Sequence, residues 1–341
     1  MPPLPDNMPA PLRQFIARMR EIRQFRVENG LRDTVATARE ALEAITRPFQ
    51  SRIPEIPLIR DELIPGPDYE VPVRLYHPAP EARPDQAPGV ALFVHGGGHI
   101  SGSLSIYDPI ARKLAAASGW LVCSLDYRLA PECPYPCGLQ DLMACIKGIF
   151  PLLASQSRPL PFSRRLALIG DSAGGALCAS AAHLAQYEPG VRIERQALIY
   201  PSLDYTLSQP STTTLGEGWI PERQRIIWYF DQYFRHAEDR RQVSPLFMPL
   251  TTDYPTTLVM TAEYCPLRDE GRVYVERLQA AGIPAELVDF PGMVHAFVNL
   301  EDLATEACAD LYQRIGEFLN SRRIPDREPG DRGAKPLAQD A

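Results

Sequence analysis

The stretch Leu166-Ala167-Leu168-Ile169-Gly170-Asp171-Ser172-Ala173-Gly174-Gly175 reads as a strand, a tight turn and the first turn of a helix. Its unbroken apolar opening suits a strand covered on both faces, whereas a half-exposed strand would alternate. Gly170 and Gly174 stand two positions either side of Ser172, where a sharp reversal leaves no room for side chains. Small and apolar residues then continue helically from Ala176 to Gln186. The same texture recurs outward in both directions. Val90–Val94, Leu121–Leu125, Ala197–Ile199, Leu258–Met260 and Leu287–Phe290 are short apolar runs, and between most of them lies a segment long enough for a helix. Strands alternating with helices imply an α/β fold, a mostly parallel central sheet flanked by helices.

The flanks differ in texture. Residues 10–48 carry two helical patterns, the first with Leu12, Phe15, Ile16, Met19 and Ile22 on one apolar stripe. Two β-like stretches follow, Glu55–Leu63 and Tyr69–Tyr76, and then a spacer rich in Pro and Ala, His77–Pro88. Asp204–Met248 is too long for a simple crossover and holds a helical pattern, Glu222–Phe234, rich in aromatic residues. Insertions of this kind form lids or caps over the carboxyl edge of a sheet. The aromatic stripe around Trp219, Trp228 and Phe230 fits cap core or ligand wall. The expected organisation is an N-terminal helical part of a cap (1–50), a catalytic domain in two pieces (51–203 and 249–322), a cap insertion (204–248) and a disordered tail (323–341).

Composition narrows the class of partner. The chain has 341 residues, with 42 acidic against 35 basic side chains and a net charge of −7, so nucleic acid and anionic membranes are poor partners. Apolar residues at 45% and charged residues at 23% are globular values that exclude wholesale disorder. No run approaches the ~18 apolar residues of a membrane span, and the start lacks an apolar signal core. A cytoplasmic chain without stable membrane insertion is expected. The seven cysteines are scattered without repeated CxxC pairs, which favours reduced thiols; neither a metal nor another cofactor is expected.

Three segments carry chemistry. Gly170-Asp171-Ser172-Ala173-Gly174 is a G-x-S-x-G turn in strand–turn–helix context, which projects Ser172 Oγ at a helix N-terminus and makes it the candidate nucleophile. His95-Gly96-Gly97-Gly98 follows the run Val90–Val94, and its glycines let backbone N–H groups turn inward. Gly97, Gly98 and Ala173 are the candidate donors to a developing oxyanion. His95 is expected to shape that loop, and His99 either lines the pocket or is a plain loop residue. His295, in Pro291-Gly292-Met293-Val294-His295, follows the last apolar run and is the candidate general base. Nucleophile before base is the chain order of the α/β-hydrolases.

Together GDSAGG (170–175), HGGG (95–98), YRLAPE (127–132) and GMVHAF (292–297) resemble the hormone-sensitive-lipase-like (bacterial family IV type) esterases of the α/β-hydrolase superfamily, over roughly residues 50–320. The resemblance implies an α/β-hydrolase fold with a helical cap built from the N-terminal helices and the insertion after Tyr200-Pro201. It also implies hydrolysis of small-molecule carboxylic esters with short- to medium-chain acyl groups. It leaves a homodimer open, since members of the family often pair. Arg128 and Glu132 of YRLAPE are expected to pair with each other.

One position departs from the family. Its triad acid lies in a segment resembling A-E-x-D-P-L-x-D-E-G, and the matching stretch here is Ala262-Glu263-Tyr264-Cys265-Pro266-Leu267-Arg268-Asp269-Glu270-Gly271. Cys265 occupies the acid slot. A neutral thiol supplies no charge to an imidazolium, and loss of the acid in other triads costs about 10⁴ in kcat. Asp269, Glu263 and Asp204 are candidate substitutes; a Ser–His dyad alone, or a water between Cys265 and His295, are the other arrangements. Beside the esterase stand a weakened hydrolase that mainly binds its ligand and an amidase or deacetylase using the same Ser–His pair.

Overall fold

The computed structural model describes residues 3–155, 157 and 159–321; the expected tail over 323–341 lies outside the described residues. Two helices open the chain, α1 (Ala10–Glu28) and α2 (Val35–Thr46). α2 is started by a reciprocal capping box between Thr34 and Thr37, which satisfies amides that a helix N-terminus leaves bare. An alternation of strands and helices follows: β1 (Leu58–Pro65), β2 (Glu70–His77), β3 (Val90–Val94), α3 (Leu104–Ser118), β4 (Leu121–Leu125), α4 (Cys137–Leu153), β5 (Leu166–Asp171), α5 (Ala173–Ala185) and β6 (Arg195–Ile199). A long excursion holds α6 (Ser211–Thr214) and α7 (Arg223–Tyr233), after which β7 (Thr256–Tyr264), α8 (Arg268–Ala280), β8 (Ala285–Val294) and α9 (Thr305–Asn320) complete the described chain.

The eight strands form one sheet in the order β1-β2-β4-β3-β5-β6-β7-β8. The pairings of β1 with β2 and of β2 with β4 are antiparallel, and all others are parallel. Each of the six apolar runs is a strand of the parallel part. β3, β4, β5 and β6 are buried at every position, the reason they read as unbroken apolar runs. β7 and β8 extend well beyond Leu258–Met260 and Leu287–Phe290: β7 takes in threonines and half-buried ends, and β8, the edge strand, mixes exposed, half-buried and buried residues. Leu287, read from sequence as interior, is accordingly exposed.

Successive side chains of a strand point to opposite faces, so the sheet divides the core. Ala91 and Phe93 join one cluster with α3, α9 and residues of α1 and α2. Val90, Leu92 and Val94 join the other, with α4 and α5. The first cluster also takes in Trp219, Ile226, Phe230 and Tyr233, which fastens residues 204–248 over the same side as the N-terminal helices. The parallel strands thereby end their carboxyl edge beneath α2 and α7, where ligands of open α/β sheets bind.

Candidate active site

The turn after β5 is built by close backbone approach. A Cβ on Gly174 would stand 2.0 Å from the Val94 carbonyl oxygen, and one on Gly170 would stand 2.5 Å from that of Gly174. Only glycine fits both positions, so the chain reverses tightly enough to hold Ser172 at φ 52°, ψ −119°. Ser172 is the N-cap of α5 and its amide donates to Ile199 O at 2.9 Å, which fastens the turn to β6.

His295 follows β8 and is buried. Its Nε2 lies 2.8 Å from Ser172 Oγ, and its Nδ1 lies 3.2 Å from Cys265 Sγ. Cys265 leaves the end of β7 with no exposed surface, and its sulfur accepts the Leu267 N–H at 3.3 Å. Burial pushes the Cys265 thiol far up. Burial likewise pushes the His295 imidazole down, to about 3. The ring is therefore neutral at neutral pH, as a proton acceptor must be.

The three substitute carboxylates are engaged elsewhere. Asp269 accepts from the Ser211 amide at 3.0 Å and from Arg268 Nε at 2.9 Å. Glu263 accepts from Asn7 Nδ2 and from the Gly292 amide, both at 2.8 Å. Asp204 is buried and caps its own loop, accepting from the amides of Thr206 at 2.9 Å and Ser208 at 2.8 Å. The residues brought together are thus Ser172, His295 and Cys265.

Gly97 and Gly98 adopt φ 113° and 64°, in the left-handed region that glycine enters without strain. Among the described residues the amides of Gly97, Gly98 and Ala173 have no protein acceptor. The loop is braced from several sides. His95 is buried between Tyr107 and Tyr127 and bonds Gly96 O through Nδ1 at 2.8 Å. Arg39 of α2 donates to Ile100 O at 2.8 Å.

Sequence reasoning missed Asp171. Its side chain is buried, and it accepts the Gly96 N–H at 2.7 Å and the Tyr107 O–H at 3.3 Å. Burial pushes this carboxyl up to about 7, against the opposing pull of those donors. The available signal was an ionisable residue at the end of an otherwise apolar strand. The expected pair within YRLAPE does not form. Arg128 forks onto Asp141, 2.7 Å from Nη2, and reaches Asp68 at 3.2 Å. Glu132 is held by Arg39 at 2.7 Å. Asp141 is buried and needs a counter-charge, whereas Glu132 is solvated and accepts whichever cation comes near.

Ser172, His295, Gly97, Gly98 and Ala173 line one cavity of about 120 Å³, whose wall also includes Leu42, Tyr229 and Phe230. A larger cavity of about 370 Å³ lies between α1, α2 and the segment Gly218–Tyr229, and it shares Leu42, Ile45, Gly97, Pro221 and Tyr229 with the first. The aromatic stripe is divided between core and wall: Tyr233 is buried in the core, Tyr229 lines both cavities, and Trp219 and Phe230 belong to the core while lining the larger and the smaller cavity respectively.

A sheet of this order, with a serine turn after β5 and a histidine after β8, defines an α/β-hydrolase. A family model described as the alpha/beta hydrolase fold matches residues 91–299. The chain belongs to this family, in its hormone-sensitive-lipase-like branch. It is similar to the carboxylesterase NlhH of Mycobacterium tuberculosis, at 36% identity over 274 residues that cover 78% of this chain and 83% of that protein. Ethyl acetate hydrolase of Pseudomonas putida is 33% identical over 243 residues, 70% of this chain and 75% of that protein. Among solved structures, a hyperthermophilic esterase from the archaeon Pyrobaculum calidifontis matches with a TM-score of 0.76 at 32% identity, covering 86% of this chain and 96% of the other. Among the described residues no helix is long and apolar enough to cross a membrane.

Proposed function

We propose that this α/β-hydrolase cleaves carboxylic esters with short- to medium-chain acyl groups through a serine acyl-enzyme. The observation that carries the proposal is the hydrogen-bonded pair of Ser172 Oγ and His295 Nε2 at 2.8 Å beside three free backbone amides. Ser172 Oγ attacks the ester carbonyl while its proton passes to Nε2. The carbonyl oxygen becomes negative against the amides of Gly97, Gly98 and Ala173, which need no reorganisation at that moment. His295 then gives the proton to the departing alkoxide, and the acyl group stays on Ser172. Water, deprotonated by the same imidazole, releases the acid. In this reading α1, α2 and residues 204–248 act as a cap that keeps bulk water from the acyl-enzyme, and the larger cavity receives the remote part of the ester.

Cys265 makes the catalytic group unusual. A carboxylate would hold His295 in one tautomer, with Nδ1–H pointing back, and would stabilise the imidazolium. A neutral thiol supports both tautomers, because sulfur is a weak acceptor and S–H a weak donor. Only the tautomer with Nδ1–H facing the sulfur leaves Nε2 free to take the Ser172 proton. Thiolate formation would not help, since it would leave the imidazole protonated at rest. The absence of charge behind His295, together with its depressed pKa, favours a slow esterase, and supports as second reading a hydrolase that mainly binds its ligand. Hydrolysis of short p-nitrophenyl esters, with Ser172→Ala as control and fluorophosphonate labelling of Ser172, separates the two. Turnover and labelling that vanish together in the variant are expected; no Ser172-dependent turnover would defeat the esterase.

A further inference from the structure

We infer that the ester held against Ser172 carries a hydroxyl group near its scissile carbonyl, and that His99 and Ser202 are the residues that recognise it. The inference rests on the ester-hydrolase reading and narrows its substrate class. Both residues line the cavity that contains Ser172. His99 is 1% exposed and Ser202 4%, and neither His99 Nδ1 nor Ser202 Oγ has a hydrogen-bond partner among the described residues.

The orientation of His99 is fixed by everything around it. Its backbone sits at φ 65° and its carbonyl accepts the Ala130 N–H at 2.9 Å. One face of the ring stacks on Tyr233 with centroids 3.8 Å apart and planes within 4°. Nε2 is 3.3 Å from Tyr205 Oη. Burial pushes the imidazole down to about 3, so the ring is neutral and offers one donor and one acceptor. With Nε2 turned to Tyr205, Nδ1 is left without a partner among the described residues, on a residue that lines the cavity. Ser202 is tied to the nucleophile's own turn, its amide donating to Ser172 O at 3.1 Å. The backbone of Ser202 is thereby tied to that of the nucleophile, and the residue lines the same cavity.

Buried polar atoms without partners cost free energy unless the occupant of the cavity satisfies them. Water can do so, but a purely alkyl group that displaces that water strands both atoms again. A hydroxyl both donates and accepts, so it fits either tautomer of His99 as well as the serine. Among the described residues no lysine or arginine lines this cavity, so a carboxylate in the same place would be buried without a counter-ion. A small neutral hydroxyl, carried by the acyl part (a hydroxy acid) or by the alcohol (a glycol), can satisfy both atoms without a counter-ion.

The test compares kcat/KM for ethyl butyrate, both enantiomers of ethyl 3-hydroxybutyrate, and 2-hydroxyethyl butyrate, in the wild type, His99→Phe and Ser202→Ala. At least one hydroxylated ester should exceed ethyl butyrate by about 10-fold or more, since a site built to hydrogen-bond a hydroxyl discriminates strongly against its absence. Preference for ethyl 3-hydroxybutyrate puts the hydroxyl in the acyl part, and preference for 2-hydroxyethyl butyrate puts it in the alcohol. In His99→Phe that ratio should fall to near one or below. Ser202→Ala should lower it severalfold, and this smaller substitution decides the question if His99→Phe does not fold. Ethyl butyrate hydrolysed as well as every hydroxylated ester overturns the inference, as does a preference that neither variant changes. Ser172-dependent hydrolysis of p-nitrophenyl acetate is run alongside. Its absence would indict the esterase reading itself, whereas its presence with no hydroxyl preference indicts this inference alone.

Discussion

Cys265 Sγ lies 3.2 Å from Nδ1 of His295, on the side of the imidazole opposite Ser172. The third member of this hydrogen-bonded row is therefore an uncharged thiol whose surroundings raise its pKa further. Replacing it by aspartate restores an anion where the imidazolium forms, and the Leu267 N–H that now reaches the sulfur is available to hold the new carboxylate. Cys265→Asp should raise kcat for p-nitrophenyl butyrate at least ~10-fold with little change in KM, a fraction of the roughly 10⁴ that the acid contributes in other triads. A kcat that is unchanged or lower in a variant that folds normally would show that the site works without charge behind its base.

The pH profile should follow from the same neutrality. His295 must be neutral to act as a base, and burial holds its pKa near 3, far below the ~6.5 of a free imidazole. The acid limb of kcat/KM, followed by pH-stat with an ethyl ester, should lie well below pH 6. In Cys265→Asp it should move upward, because a carboxylate favours the protonated ring. The sign for stability is also set. The folded pKa is depressed, so this group's contribution is full above the unfolded value of ~6.5 and is lost as pH falls toward the folded value near 3. An acid limb at the ordinary histidine position in the wild type would contradict the desolvated ring.

What was legible in the sequence was whatever is written locally. The parallel strands announced themselves because a strand buried on both faces is apolar at every position. Ser172, Gly97, Gly98 and His295 were legible because each sits in a short segment whose glycines or neighbours serve one backbone geometry. Partnerships across the fold were not. Arg128 answers to the buried Asp141 and Glu132 to Arg39 of the N-terminal helices, and no spacing within YRLAPE encodes either pair. Asp171 escapes a sequence reading although it stands inside the decisive stretch, since its partner Gly96 comes from a different strand end. β8 exceeds its apolar run because the edge of the sheet admits polar residues, and β7 exceeds its own through threonines and the half-buried Glu263 and Tyr264 at its end.

The carboxylates near the base should prove dispensable for its chemistry. Asp269, Glu263 and Asp204 each spend their oxygens on other donors. Asp269→Asn and Glu263→Gln are expected to change kcat by less than about 3-fold, the scale of surface perturbations. Asp204→Asn should act on stability instead, by about 1–3 kcal/mol, because the buried side chain accepts from the amides of Thr206 and Ser208. Thermal unfolding and steady-state kinetics on the three variants separate these effects. A 10-fold drop in kcat at unchanged Tm in any one of them would mark that carboxylate as the true partner of His295.

Asp171 should govern the oxyanion loop without touching substrate chemistry directly. Its Oδ1 holds the Gly96 N–H at 2.7 Å, one residue ahead of Gly97 and Gly98, which line the cavity. Asp171→Ala leaves that buried N–H without an acceptor, a loss of about 1–3 kcal/mol. Relaxation of the loop to recover a partner would turn Gly97 and Gly98 away from the developing charge. If that energy appears in the transition state, kcat falls by roughly 5- to 150-fold, with KM nearly constant because the ground-state carbonyl makes weaker use of the donors. Asp171→Asn keeps a carbonyl oxygen for Gly96 and should retain most of the activity. Kinetics of the two variants, read with their melting temperatures, decide the matter: an alanine variant as fast as wild type, or an asparagine variant as slow as alanine, would remove Asp171 from the loop's support.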